Sequence, residues 1–75
     1  LASREEDIAA LKHETLILHG RFDQVIPLDS SVRMANLLPR ADLQVFGECG
    51  HWVQIERMAS FNRIVSEFFT NGLKA

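Results

Sequence analysis

Two residues of this 75-residue sequence could together carry out proton transfer: Asp23, with its carboxylate, and His51, with its imidazole. A carboxylate that accepts the Nδ1 proton of a histidine fixes the tautomer of the ring and stabilises the imidazolium that forms during a reaction. The Nε2 atom can then take a proton from a nucleophile. Asp23 and His51 are therefore candidates for the acid and the general base of one site, provided that the fold brings them together.

Each titratable residue also has a plainer interpretation when it is taken alone. An aspartate in a loop commonly hydrogen-bonds its own backbone, and a lone histidine is commonly an ordinary surface residue. His19 ends an apolar segment, so we expect a hydrogen-bonded core residue there rather than a second base. We expect His13 to face solvent and Cys49 to be a small, buried and unreactive thiol.

The sequence lacks the motif that would supply a serine nucleophile. The pattern G-x-S-x-G places a serine on a sharp turn between a strand and a helix, and it occurs nowhere in the chain. The serines that lack its flanking glycines are Ser3, Ser30, Ser31, Ser60 and Ser66. We therefore expect that this chain has no turnover by itself.

Two segments predict strands, and the helix between them joins them into a βαβ unit. Residues 15–19 form a continuous apolar run, which is typical of a strand buried on both faces of a parallel sheet. Residues 42–46 place Leu43 and Val45 on one side, which also predicts a strand. Strands joined by a crossover helix run parallel. Two strands do not make a stable sheet alone, so we expect further strands from the rest of the protein or from another chain.

Three segments predict helices. Residues 4–12 begin after Ser3, a predicted N-cap residue. Residues 28–38 carry apolar residues on one face and stop before Pro39. The strongest amphipathic pattern lies in residues 61–69, where we expect a core-facing stripe, and Asn71-Gly72 should end this helix. The stripe consists of Phe61, Ile64, Val65, Phe68 and Phe69.

The predicted sheet brings the two candidate residues to one edge. Ligands of open parallel sheets bind beyond the carboxyl ends of the strands. The loop after the first strand contains Asp23, and the loop after the second contains His51. Because neighbouring strands lie about 4.8 Å apart, we expect a hydrogen bond between Asp23 and His51 if the strands pair.

Composition excludes several classes of function and points to a fragment. The 8 basic and 10 acidic residues give a net charge of −2, without the basic patch of a nucleic-acid-binding protein. No apolar stretch approaches the length of a membrane span, and one cysteine with scattered histidines makes no metal spacing. The lone cysteine agrees with a cytoplasmic location. A hydrophobic content of 47% in so short a chain, which begins without methionine, suggests part of a larger core.

The motifs G-R-x-D-x-x-(I/V)-P and C-G-H-W carry a family resemblance when they occur together at this spacing. Over about residues 14–70, the chain resembles the C-terminal end of the meta-cleavage-product hydrolases. These α/β-hydrolases cleave a carbon–carbon bond in ring-fission products of aromatic degradation. The resemblance implies an α/β fold, with residues 1–75 as a C-terminal fragment of one domain: the βαβα portion of a parallel sheet covered by helices.

The resemblance also implies roles for individual residues. Asp23 matches the triad acid, His51 matches the triad base, and Trp52, Val25 and Ile26 match positions that line the substrate pocket. The implied substrate is a 2-hydroxy-6-oxo-hexa-2,4-dienoate, in the branch of 2-hydroxymuconic semialdehyde and small alkyl analogues. It is tautomerised to the keto form and then hydrolysed to a 2-hydroxypentadienoate and a carboxylic acid. No metal or organic cofactor is implied, the missing N-terminal part of the domain is the implied partner, and the parent protein is expected to be a homo-oligomer.

Two other interpretations stay open at this point. The Asp–His pair would serve an ester hydrolase or a haloperoxidase-like enzyme equally well, because the nucleophile and lid decide the chemistry. A nucleophilic aspartate in place of serine would instead indicate a dehalogenase or an epoxide hydrolase. Alternatively, the chain could be a catalytically silent interaction module that retained the end of a hydrolase.

Overall fold

The order of helices and strands follows the sequence pattern, with one extra short helix. The structure is a computed structural model that describes the backbone of residues 2–74 and the side chains of residues 5–73. Its elements are α1 (Ala2–Ala10), β1 (Thr15–Gly20), α2 (Leu28–Leu37), β2 (Ala41–Phe46), α3 (Val53–Glu56), α4 (Met58–Asn71) and a final 3-10 turn (Gly72–Lys74). The helix that the sequence did not predict is α3.

The helix ends differ slightly from their expected positions. α1 begins and ends about two residues earlier than predicted, and the predicted cap by Ser3 concerns a side chain outside the described residues. α4 ends at Asn71 as predicted, because Gly72 adopts a φ of 67°, a left-handed conformation that glycine tolerates best. α4 is the longest described helix, and no helix of residues 2–74 is long and apolar enough to cross a membrane.

The two strands pair in parallel, as the βαβ pattern predicts. Their register runs from Thr15 opposite Ala41 to Gly20 opposite Phe46. The carboxyl ends of β1 and β2 therefore lie side by side. The loops that contain Asp23 and His51 leave the sheet from this common edge.

Helices cover both faces of this small sheet. His19 contacts Ser31 of α2, whereas its neighbour Leu18 packs against the same buried cluster as Phe61 and Ile64 of α4. Consecutive residues of a strand point to opposite faces. α2 and α4 therefore lie on opposite faces of the sheet. The buried centre of the α4 side is formed by Phe46, Cys49 and Val53.

The prediction that Phe69 is a core residue is wrong for this chain, since its side chain is 80% exposed. Phe61 and Phe68 are partly buried, as expected for the centre of the stripe. At 3.6 residues per turn, Phe69 lies roughly 80° around the helix from Phe61, at the border of the apolar face.

Candidate active site

The structure brings Asp23 and His51 into direct contact at the carboxyl edge of the sheet. Asp23 Oδ2 lies 2.9 Å from His51 Nδ1. The Asp23 side chain is only 6% exposed, whereas that of His51 is 33% exposed. An ionised carboxylate can only accept hydrogen bonds, so Nδ1 carries a proton and its N–H donates a hydrogen bond to Asp23. The expected hydrogen bond is thus present, and Nε2 is the ring nitrogen that can accept a proton.

The second oxygen of Asp23 is held by the backbone of its own loop. Oδ1 accepts hydrogen bonds from the backbone N–H groups of Val25, at 2.8 Å, and Ile26, at 2.9 Å. The Ile26 N–H is the largest cause that lowers the pKa of Asp23 to about 2, and the hydrogen bond from His51 lowers it further, whereas burial opposes both. The carboxylate is therefore ionised at neutral pH. Asp23 is therefore both a turn residue, through Oδ1, and a partner of His51, through Oδ2.

Glycine at the end of β1 lets the two loops touch. A Cβ atom on Gly20 would lie 2.0 Å from the carbonyl oxygen of Gly50 and 2.6 Å from that of Cys49. Both distances are far below van der Waals contact. The Phe22 N–H also donates to the Cys49 carbonyl, at 2.9 Å, which fastens one loop to the other. The backbone segments that precede Asp23 and His51 thus contact each other directly.

Glu56 holds the loop of His51 from the other side, a role that was not predicted from the sequence. Its carboxylate accepts hydrogen bonds from the N–H groups of Gly50, at 3.0 Å, and Trp52, at 3.3 Å. These residues flank His51 and precede α3, so Glu56 reaches back ahead of its own helix much as the glutamate of a capping box does. The sequence signal for this role was an acidic residue about one helical turn after the loop that contains His51.

A second buried histidine lies beside the pair. His19 is 5% exposed, and both of its ring nitrogens are hydrogen-bonded. Nδ1 lies 2.6 Å from Ser31 Oγ, and Nε2 lies 3.0 Å from the Ile26 carbonyl oxygen. Its Nε2 atom also lies 3.8 Å from Asp23 Oδ2. The prediction of a hydrogen-bonded core histidine is confirmed.

Cys49 and His13 match their plainer interpretations. Cys49 is buried, and this burial raises the pKa of its thiol, so the neutral form is favoured. His13 is exposed. Within the described side chains of residues 5–73, no group of three or more His, Cys, Asp or Glu converges in a way that could hold a metal ion.

The three predicted pocket residues occupy different surroundings. A cleft of about 280 Å³ adjoins Asp23 and His51, and Ile26 lines it. Trp52 is 57% exposed outside this cleft and packs an edge against the His51 ring, with ring centroids 5.1 Å apart. Val25 is 70% exposed and contributes its backbone N–H to Asp23.

A larger cleft, of about 480 Å³, lies between β2 and α4. Its lining includes Asp42, Gln44 and Arg63 but neither Asp23 nor His51. The smaller cleft is therefore the one that adjoins Asp23 and His51.

Comparisons with known proteins agree on one family. The family model for the alpha/beta hydrolase fold matches residues 2–58. The chain is 56% identical over 68 residues to a 2-hydroxy-6-oxo-2,4-heptadienoate hydrolase of Pseudomonas putida, and the match covers 91% of this chain and 25% of the relative. It is also 56% identical over 68 residues to a 2-hydroxymuconate semialdehyde hydrolase of a Pseudomonas species, with 91% and 24% covered.

Solved structures give the same result. A meta-cleavage product hydrolase from Pseudomonas fluorescens matches with a TM-score of 0.89 and 59% identity. This match covers 91% of the present chain and 25% of that structure. The chain thus spans about a quarter of the length of the proteins that it matches.

Proposed function

Because this chain belongs to the α/β-hydrolase family, we propose that it supplies the triad acid, Asp23, and the general base, His51, of a hydrolase active site. The observation that carries this proposal is the hydrogen bond of 2.9 Å between Asp23 Oδ2 and His51 Nδ1. It fixes the proton on Nδ1 and presents Nε2 as the base. The chemistry then needs a nucleophile within reach of Nε2.

The proposal makes residues 1–75 the C-terminal portion of a single hydrolase domain. The rest of that domain would supply a serine nucleophile, the oxyanion hole and the lid. His51 Nε2 takes the proton of the serine hydroxyl as its oxygen attacks the substrate carbonyl, and Asp23 stabilises the imidazolium that results. His51 then returns the proton to the departing carbon fragment. A water molecule, activated by the same base, releases the carboxylic acid.

We propose a 2-hydroxy-6-oxo-hexa-2,4-dienoate as the substrate class, in its keto tautomer during cleavage. The proposal rests on the names of the relatives, which are hydrolases of 2-hydroxy-6-oxo-2,4-heptadienoate and of 2-hydroxymuconate semialdehyde. The products would be a 2-hydroxypentadienoate and a carboxylic acid. Apolar side chains of Ile26 and Met34 beside His51 suit the hydrocarbon part of such a molecule. Trp52 and Val25 are proposed to complete the pocket once the rest of the domain is present.

The remaining parts of the proposal concern the parent protein. We infer a cytoplasmic location from the single cysteine, since a reducing compartment requires no disulfide. The triad mechanism proceeds without a metal or organic cofactor. We also propose, from the family resemblance, that the parent protein forms a homo-oligomer.

The decisive experiment uses the full-length protein that contains this chain. We expect this protein to hydrolyse the 6-oxo-dienoate, and the loss of ultraviolet absorbance of the substrate would measure the rate. We expect His51→Ala to lower kcat by about a thousandfold or more while the fold is retained, because the base acts at several proton transfers. Asp23→Asn should lower kcat less. The exposed His13 provides the matched control, and His13→Ala should retain the wild-type rate.

Three outcomes would contradict parts of the proposal. A wild-type rate in His51→Ala would remove the proposed role of the base. Turnover of esters without any cleavage of the dienoate would favour an ester hydrolase of the same fold. Binding of the dienoate without any turnover would favour a silent interaction module.

A further inference from the structure

The hydrogen bonds of His19 determine which of its nitrogens carries a proton. The Ile26 carbonyl oxygen can only accept, so Nε2, at 3.0 Å, donates to it. In the neutral ring Nδ1 is then an acceptor, and the Ser31 hydroxyl at 2.6 Å is the donor. Ser31 lies in the first turn of α2, so the ring joins the end of β1 to this helix and to the loop between them.

Ile26 is held at both of its backbone groups. Its carbonyl accepts from His19, and its N–H donates to Asp23 Oδ1 at 2.9 Å. Pro27 comes next, and its ring restricts Ile26 to extended conformations. A continuous series of hydrogen bonds therefore runs from Ser31 through His19 and Ile26 to Asp23, and from there to His51.

We propose that His19 is a positioning residue for the triad acid: by fixing the Ile26 carbonyl, it holds the backbone amide that orients the Asp23 carboxylate toward His51. This inference rests on the proposed function, since it assigns His19 a part in the same site. It agrees with the finding that the Ile26 N–H is the largest cause of the lowered pKa of Asp23. His19 Nε2 also lies 3.8 Å from Asp23 Oδ2, so the ring is adjacent to the carboxylate that it is proposed to position.

The competing interpretation is that His19 merely fills the core with its polar atoms satisfied. The two interpretations predict different results when the ring is replaced. A purely structural residue lowers stability and leaves the Asp23–His51 hydrogen bond unchanged in the molecules that fold. A positioning residue alters that hydrogen bond, and with it the proton transfer, in the folded molecules.

The test compares variants of the full-length protein that contains this chain. His19→Leu removes both hydrogen bonds of the ring, whereas His19→Gln keeps a side-chain N–H that can reach the Ile26 carbonyl. The exposed His13 provides the matched control, His13→Gln. For each variant we would measure thermal unfolding, kcat and KM on the dienoate, and the downfield proton resonance of the His51 Nδ1–H group.

We expect His19→Leu to lower kcat by roughly tenfold to a hundredfold with little change in KM, since a small misplacement of a reacting group has effects of that size. The resonance of the His51 Nδ1–H should shift or broaden at the same time. His19→Gln should recover much of the rate and the resonance, and His13→Gln should match the wild type.

Unchanged kcat and an unchanged His51 resonance in folded His19→Leu would overturn the inference. If His19→Leu does not fold, Ser31→Ala decides, because it removes only the donor to Nδ1: an unaltered resonance then counts against the inference and a shifted one supports it. If the wild-type protein hydrolyses no dienoate, the proposed function fails, but the resonance still reports whether His19 controls the hydrogen bond between Asp23 and His51.

Discussion

Asp23 divides its two carboxylate oxygens between local structure and the contact with His51. Oδ1 accepts two backbone N–H groups of its own loop, and Oδ2 accepts the proton of His51 Nδ1. The two local hydrogen bonds orient the carboxylate and leave its other oxygen for His51. This is why an ordinary turn residue and a member of a proposed triad can be the same aspartate.

The lowered pKa of Asp23 predicts a specific loss of stability in acid. Its pKa falls from 3.8 to about 2 on folding, so between these values the unfolded state binds the proton more readily than the folded state. The stabilisation from Asp23 is therefore complete above about pH 5 and is lost as the pH falls through the range from 3.8 to about 2. The free energy of unfolding of the full-length protein, measured by urea denaturation from about pH 6 downward, should show this slope.

Asp23→Asn should remove that part of the pH dependence, since an amide does not titrate. Asp42→Asn is the matched control, because Asp42 is exposed on β2 and lies away from the two loops. An acid slope in Asp23→Asn as steep as in the wild type would show that other groups cause it.

At the scale of elements, the site depends on how closely two loops approach each other. β1 and β2 end opposite one another, but parallel pairing alone does not bring the loop side chains together. Gly20 permits backbone contact with Cys49 and Gly50, and Glu56 of α3 holds the other side of the His51 loop. The geometry of the pair is thus set by backbone contacts as much as by the two side chains.

A methyl group at Gly20 should separate these loops. Gly20→Ala would place Cβ within 2.0 Å of the Gly50 carbonyl oxygen, so the backbones must shift. We expect a destabilisation of about 1–3 kcal/mol or more, as for overpacking of a close contact, together with a lengthened hydrogen bond between Asp23 and His51. Chemical denaturation and the His51 Nδ1–H resonance of the full-length protein would measure the two effects.

Gly47 offers a control in the same region. No atom lies within 4 Å of a Cβ built on it, so Gly47→Ala should stay within about 0.5 kcal/mol of the wild type. Equal stability of the Gly20→Ala and Gly47→Ala proteins would refute the importance of the close approach.

At the scale of the whole molecule, three features support the proposal that this chain packs within a larger apolar core. Within residues 2–74, the sheet has two strands, which is too few for independent stability. Large apolar side chains of several elements stay exposed, among them Val25, Ile55 and Phe69. The chain also spans about a quarter of the length of its relatives. These observations agree with residues 1–75 acting as the C-terminal portion of a hydrolase domain.

Mixing this chain with the remainder of the parent protein tests that proposal directly. The 75-residue chain alone should show no dienoate hydrolysis, because G-x-S-x-G is absent from it. Co-expression with the remainder should restore turnover, and the His51→Ala chain should restore binding without turnover. Hydrolysis by the purified 75-residue chain would contradict the prediction.

Local pattern was sufficient for much of this protein. The apolar runs and amphipathic stripes predicted β1, α2, β2 and α4, because burial on one or both faces imposes a period that is visible in sequence. The order of these elements predicted a parallel sheet and placed Asp23 and His51 at one edge. α3 was not predicted because a single turn, Val53–Glu56, is too short to show a helical period. The backbone N–H of Gly50, just before this helix, is instead satisfied by the Glu56 carboxylate.

Contacts between distant segments were decided only by the tertiary structure. Sequence identified His19 as a core histidine, but its position between Ser31 and the loop of Asp23 depends on how α2 lies on the sheet. The 80% exposure of Phe69 likewise depends on which elements pack beside α4. Periodicity reports which face of an element is buried, whereas the partners on that face depend on packing across the whole fold.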